Sequence, residues 1–495
     1  MPPRRILTNG DASVVETLRV IAPILIAKGS ESFAYFTQSL VLPLLLSSAF
    51  ELSDSQAAAL TATTSLSVPV FGALLAGAID RAGPRASALA GATFAGLGRL
   101  LLAMSPSLTL YHAIVALVLL LPIGSALGMP VYTIALKRAT VGKARTRAFG
   151  FFYATMNVGA AAAGFLANGV LSTSSTMGGD DDMSPDDGML PTTPAPVQSI
   201  EATGSSFVGQ LQLMLSVATA ASLVTAAAGL TFPGAVPSDH RKDDDSEDEE
   251  LRSETTMPSA PPTSWGLSSA LTYLGLSEGM AIFRDPVFQR LTVYSLVMLF
   301  VNSVFRHMDS SLPKFMLRAL GPAGSHFGLV YAINPIMIIA LVPVVQHLLA
   351  GQDPYLVIMC GSAVSAVSAL LIPASPVGMG GIISFVVVLS LGESVYSPRT
   401  YDFIMAMSPK GKEALYGALA MAPRFVVTML VGWSSGLLLE GFCPQEGAEP
   451  ERCLQLWLVV SLISCATPIL LLVMKSYLYN DDVRKRIAEE GTVAH

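Results

Sequence analysis

Long apolar runs alternate along this chain with short polar breaks. They lie near residues 20–48, 56–79, 86–104, 110–136, 148–171 and 207–232, and again near 291–313, 325–347, 355–373, 380–407, 413–440 and 454–478. A helix crosses the hydrocarbon core of a bilayer with roughly 20 residues, so each run has the length of one span. Six precede a polar interruption at about 233–290 and six follow it. The first run is too long for a cleaved signal, carries Lys28 and Glu31, and lacks a small-residue cleavage site, so it reads as a retained helix. The pattern predicts an all-α integral membrane protein of twelve transmembrane helices. Residues 1–232 form an N-terminal six-helix bundle and 291–480 a C-terminal one. Residues 233–290 form an acidic cytoplasmic linker and 481–495 a cytoplasmic tail.

Composition agrees with this picture. Of 495 residues, 52% are hydrophobic and 13% charged, with mean hydropathy +0.57, whereas soluble domains carry about 25% charged residues. The net charge of −7 comes from two acidic patches, Asp180–Asp182 with Asp186 and Asp187, and 243–250. Both sit in Ser-, Pro- and Thr-rich stretches that bury too little apolar surface to fold alone. Within the linker, 264–286 around Trp265 reads as a helix lying on the membrane surface.

Basic residues orient the spans. With the N-terminus inside, the short inner segments carry sixteen Lys and Arg, against three outside (Lys314, Arg318 and Arg452). Both termini and the linker are therefore expected in the cytoplasm, with the protein in the plasma membrane or an internal membrane. Cys443 and Cys453 then fall outside, where an oxidising compartment allows a disulfide; two unpaired thiols are the alternative, because Cα separation is not legible in sequence. Cys360 and Cys465 lie within spans and read as packing residues.

The two halves echo each other. VPVFGALLAG (68–77) parallels VPVVQHLLAG (342–351), and GSALGMP (124–130) parallels GESVYSP (392–398). Gly124/Gly392, Pro130/Pro398 and Gly164/Gly432 share one offset. Parallel six-helix repeats related by an axis along the membrane normal enclose a solute site near the midplane in one class of carriers. The stretch GALLAGAIDRAGPR (72–85) resembles the G-x-x-x-D-R-x-G-R motif of the major facilitator superfamily, with Gly72, Gly77, Asp80, Arg81, Gly83 and Arg85 in its positions. The resemblance implies two pseudo-symmetric six-helix bundles. It also implies a cytoplasmic gate built on a turn between the second and third spans. The glycines let a neighbouring helix approach, Asp80 sits near a helix N-terminus of the other half, and Arg81 and Arg85 pair with acids or helix-end carbonyls. For the two arginines, plain obedience to the charge rule is the alternative.

Ionisable residues inside spans are costly unless they face protein or water, so each is a functional candidate. Lys28, Glu31, Tyr35 and Gln38 share one face of the first helix, although Lys28 and Glu31 can also neutralise each other structurally. Asn302, Arg306 and Asp309 share a face of the seventh, where Arg306 and Asp309 form either an outer gating pair or an interface pair. Glu393 and Arg424 have no opposite charge on their own helices and are the leading solute- or ion-binding candidates. Arg99, near an outer helix end, reads as snorkelling. Tyr153 and Asn157 read as hydrogen-bonding glue between helices.

A second resemblance is to the proton-coupled oligopeptide transporter branch. FYATMNVG (152–159) and GESVYSP (392–398) match its fifth- and tenth-helix patterns, through Tyr153, Asn157, Glu393, Ser397 and Pro398. KGSESFAYF (28–36) departs from its first-helix pattern E-x-x-E-R-F-x-Y-Y, with Lys28 in place of an acid and Ser32 in place of the Arg. The resemblance implies contact of Glu393 with a peptide amino terminus and leaves coupling through the first helix in doubt. A carboxylic acid in a partly dehydrated cavity holds its proton at higher pH than one in water, so Glu393 or Glu31 suits a proton carrier. Arg424, permanently charged, suits a carboxylate or phosphate. The expected function is a secondary carrier for a small polar solute, an amino acid or small peptide, with protons as the coupling ion. No other cofactor, no metal, no nucleic acid and no enzymatic motif is expected, and the unit is a monomer in the bilayer. The alternatives are a receptor or scaffold on the same bundle and a uniporter for a sugar or organic anion.

Overall fold

The computed structural model describes residues 14–104, 109–140, 142–172, 204–232, 284–349, 352–407 and 423–485. The side chains of Asp80, Arg81 and Arg424 fall outside what it describes, as do both acidic patches, 264–283 around Trp265, and the chain beyond 485.

All regular elements among the described residues are helical. α1 (Val14–Ala49) leads through a tight turn at Glu51 into α2 (Asp54–Ala103). Ser53 starts α2 with a reciprocal cap: its Oγ accepts from Gln56 N, and Gln56 Oε1 accepts from Ser53 N. α2 carries two spans in one run of 50 residues, broken only at Gly83, whose φ of 74° suits a residue without Cβ. The turn expected at the Asp80–Arg85 motif is thus a one-residue kink, and the helix backbone runs on through Asp80 and Arg81.

α3 (Leu110–Val115) continues through a π turn, Ala116–Leu120, into α4 (Leu121–Ala139). α5 (Gly142–Leu171) and α6 (Gly204–Leu230) complete the first half. α7 (Pro286–Ser310) begins on an Asp285 cap, Oδ1 to Val287 N, with proline at the first position. The segment 286–290, assigned to the linker by hydropathy, is therefore the first turn of α7.

α7 is followed by short α8 (Leu312–Leu320), a 3-10 turn (Gly321–His326), α9 (Phe327–Leu348), α10 (Pro354–Ser368), α11 (Met379–Met407) and α12 (Pro423–Phe442). The last span comprises α13 (Pro450–Ser464) and α14 (Ala466–Val473), followed by the single turn α15 (Lys475–Leu478). Residues 481–485, read as tail, are helical too. Ten helices among the described residues are long and apolar enough to cross a membrane, and Val426–Phe442 is a shorter apolar one. The first stretch of α2 supplies the remaining crossing of a twelve-span fold.

The α1–α2 turn, the end of α7 and the end of α12 lie on one face of the bundle, here the disulfide face, because Cys443 and Cys453 are joined there with Cα atoms 4.5 Å apart. The starts of α1 and α7 mark the opposite, terminal face. In the first half, α1 packs on α5 and α6, and α2 on α4 and α6. In the second, α11 packs on α9 and α10, and α7 on α13 and α14. The main contacts between halves are α2 with α12 and α5 with α9.

Both cross-half contacts are glycine-mediated and lie toward the disulfide face. A Cβ on Gly164 of α5 would stand 2.5 Å from the Gly328 carbonyl oxygen of α9, and one on Gly432 of α12 would stand 2.9 Å from Ala62 Cβ of α2. Gly164 and Gly432 are the repeat-related pair, so the sequence echo marks equivalent contacts.

Burial divides the same way. One apolar core joins both halves at the disulfide face, with Leu45, Leu102 and Leu215 packed together with Phe315, Phe385 and Trp457. Toward the terminal face there are two separate cores: Ile24, Val131 and Leu136 in the first half, and Leu291, Tyr294 and Phe403 in the second. Among the described residues, the halves thus share one core at the disulfide face and have separate cores toward the terminal face.

Candidate functional site

The cleft between the independent ends holds a cavity of about 280 Å³. α7 delivers Asn302, Arg306 and Asp309 to it from the face that helical spacing predicts. Arg306 Nη1 lies 3.3 Å from Asp309 Oδ2. From the first half, α1 contributes Phe36 and α5 contributes Tyr153 and Asn157. Asn157 Nδ2 donates to the Tyr153 carbonyl within its own helix, at 3.0 Å, rather than bridging to another helix as expected. From α11 come Glu393, Tyr396 and Ser397. Asn334 of α9 donates to Glu393 Oε2 at 2.9 Å and to Ser390 Oγ at 3.1 Å. Glu393 thus presents a positioned carboxylate to the cavity. The lining reaches Thr400 and Ile404, toward the terminal face.

The α1 stripe does not act as one surface. Glu31 and Gln38 turn to Arg99, which donates Nη2 to Glu31 Oε1 at 2.8 Å and Nη1 to Oε2 at 3.2 Å. Arg99 also donates Nε to Gln38 Oε1 at 3.1 Å and Nη1 to Ser222 Oγ at 2.6 Å. Arg99 is 1% exposed. The snorkelling assignment is therefore corrected: this guanidinium is buried and ties α1, α2 and α6 into one charge-paired network. Lys28 lies over the Phe152 ring, 5.1 Å from its centroid. Glu31 is held by Arg99, and the alternative of a Lys28–Glu31 pair is reduced to the electrostatic interaction between them. Tyr35 lines a second cavity together with Arg306 of the other half.

Of the motif residues that are described, Arg85 makes a side-chain contact, within its own half. Arg85 donates Nε and Nη2 to the Phe232 carbonyl just beyond α6, at 3.1 and 2.7 Å. This is a helix-end carbonyl, as expected, but not one in the other half. A Cβ on Gly72 would meet nothing within 4 Å among the described residues. The roles expected of Asp80, Arg81 and Arg424 rest on side chains outside the described residues.

The described charge bridge between halves lies at the disulfide face and was not anticipated. Asp54, at the start of α2, accepts from Lys314 Nζ at 2.6 Å and from Arg318 Nη1 and Nη2 at 2.6 and 3.0 Å. Lys314 also donates to Ser47 Oγ at 2.6 Å, and Arg318 to the Cys443 carbonyl at 2.7 Å. Beside them, Glu440 of α12 accepts from Ser55 N at 2.8 Å. All three charged side chains are under 9% exposed. Burial pushes the Asp54 carboxyl up, but its hydrogen bond from Arg318 and the charges of Lys314 and Arg318 outweigh this and hold it below the usual carboxylate range. A sequence signal existed in Lys314 and Arg318, one helical turn apart on α8. Their acid lies some 260 residues away, on the other half.

A family model described as Major Facilitator Superfamily matches residues 24–432. The chain belongs to the major facilitator superfamily. Solved structures share the fold of this major facilitator at low identity. One, described as structural insights into substrate recognition in proton dependent oligopeptide transporters, superposes with TM-score 0.62 and 17% identity over 95% of this chain and 100% of the other. A POT family transporter in complex with a thioalcohol conjugated peptide gives 0.60 and 16%, over 93% and 97%. The nucleoside transporter NupG gives 0.65 and 13%, over 92% and 99%. No curated protein matches the chain by sequence. Membership makes this a multi-pass integral membrane transporter and not an enzyme.

Proposed function

We propose that this major facilitator is a secondary active carrier that moves a small polar organic solute, an amino acid or small peptide, by alternating access coupled to protons. The carrying observation is the asymmetry of the two ends. A single core and a buried charge lock join the halves at the disulfide face, while two separate cores flank a polar cavity toward the terminal face. Rocking about such a cavity is how repeat-built carriers expose one site to either side. The excess of Lys and Arg beside the terminal face supports a cytoplasmic position for it. A disulfide on the opposite face fits an oxidising exterior. On this reading the conformer is inward-open.

Glu393 is the proposed proton carrier and contact for the solute's amine. Its support is its place on the cavity wall, held by Asn334, together with the match of GESVYSP to the tenth-helix pattern of oligopeptide transporters. Oligopeptide transporters that share the fold support the solute class. Helix-1 Glu31 is a weaker candidate, since Arg99 already engages both its oxygens.

The test is uptake of a labelled amino acid and dipeptide panel into proteoliposomes at external pH 5.5 and 7.5. The parent is expected to accumulate a member of the panel at the lower pH, and Glu393→Gln to lose at least roughly tenfold of that pH-driven accumulation. If Glu393→Gln accumulates solute like the parent, Glu393 is not the carrier. If the parent is flat across the panel, the solute class is wrong.

A further inference from the structure

A second cavity, of about 150 Å³, lies on the disulfide side of the first, between α1, α2, α4, α7 and α12. The residues that line both cavities are Arg306 and Asp309. Tyr35 of α1 stands beside Arg306, and Tyr331 of α9 beside Asp309. Tyr35 lines the second cavity and Tyr331 the first. An ion pair on the second half, buttressed by one tyrosine from each half, thus forms the wall between them.

The second cavity is lined mostly by apolar surface, interrupted by hydroxyls and by charged groups that are paired. Its two guanidinium groups already have partners, Arg99 in Glu31 and Arg306 in Asp309. Thr61, Thr64 and Ser310 donate their hydroxyl hydrogens to carbonyls one turn back in their own helices, at 2.9, 3.0 and 2.8 Å. This leaves oxygen lone pairs facing the space. Such a lining accepts hydrogen bonds from water or a passing polar solute and holds no uncompensated charge to trap it. Toward the disulfide face a small pocket lined by Asp54 and Lys314 shares Thr61, Ser310 and Gly432 with this cavity, so the Asp54–Lys314–Arg318 lock lies beyond it.

We propose that Arg306, Asp309, Tyr35 and Tyr331 form an inner septum, so that the route to the disulfide face has two barriers in series with a hydroxyl-lined chamber between them. The central cavity then communicates with the terminal face alone. Solute passes the septum by parting the ion pair and the lock by parting the halves, and the chamber is an occluded station between the two events. The proposal rests on the carrier reading and adds to it a specific inner gate.

Thiol accessibility tests it. In a background with Cys360→Ser and Cys465→Ser, which keeps the native disulfide, a cysteine is placed in the central cavity (Ser397→Cys) or in the chamber (Thr64→Cys). A membrane-impermeant methanethiosulfonate is applied to each face of reconstituted vesicles. Ser397→Cys is expected to react from the terminal face, and Thr64→Cys at least about tenfold more slowly from either face. Asp309→Asn is expected to speed Thr64→Cys from the terminal face without speeding it from the disulfide face. Tyr331→Phe, which removes one hydroxyl and keeps the packing, is expected to act in the same direction more weakly. Equal terminal-face rates for the two cysteines in the parent, or no change from either septum variant, overturns the septum while leaving the carrier reading standing. If neither cysteine reacts from the terminal face, the septum falls together with that reading.

Discussion

Asp54→Asn is expected to unseal the disulfide face. The substitution leaves Lys314 and Arg318 side by side, 4% and 8% exposed, with no carboxylate between them. Stranding buried charge in this way costs roughly 3–5 kcal/mol, which shifts the closed-to-open ratio by roughly two to four orders of magnitude. The expected readout is faster hydrogen–deuterium exchange in the first turns of α2 and the last turns of α12. Lys314→Met added to Asp54→Asn is expected to recover part of the protection, because one of the two stranded cations is gone.

The pH behaviour of this lock has a definite sign. A carboxyl held below its ordinary range contributes closure that is complete above that range and is lost only as pH falls through the lowered value. Across about pH 5–8 the Asp54 carboxylate stays ionised. A dependence of transport on pH in that window therefore does not come from Asp54, and the carrier role is proposed for the cavity carboxylate Glu393.

Arg99→Met is the second large effect. Arg99 supplies both hydrogen bonds to the Glu31 carboxylate and one each to Gln38 and Ser222. Its loss leaves a half-buried carboxylate and two polar groups without their cation, at a cost of roughly 3–5 kcal/mol. A fall of roughly 5 °C in the unfolding midpoint in detergent is expected for a chain of this size. Arg99→Met combined with Glu31→Gln is expected to recover much of it. An unchanged midpoint for Arg99→Met would show that the network contributes specificity without stability.

What the chain disclosed beforehand follows from what is local in it. Span lengths, the six-plus-six division and the α7 stripe of Asn302, Arg306 and Asp309 depend on hydropathy and helical period, which a single sequence carries. The repeat was visible because equivalent contacts need the same small residue, as at Gly164 and Gly432. Partnerships between distant segments were not visible. Arg99 sits at a helix end in the sequence and looked able to reach water, yet three helices close around it. Lys314 and Arg318 looked like the few basic residues tolerated outside, and their acid belongs to the other half. The α1 stripe was correctly placed on one face, but its members point to different partners, because a face of about 100° borders more than one neighbour.

The central claim is that the two halves rock about the cavity, closed at the disulfide face in the conformer described. Spin-label distances across both faces test it most directly, with one pair at exposed Glu51 and Gln445 and the other at exposed Arg19 and Gln289. On introducing Asp54→Asn, the first distance is predicted to lengthen while the second shortens. Lengthening of the first with no change in the second, or no change in either, would contradict it.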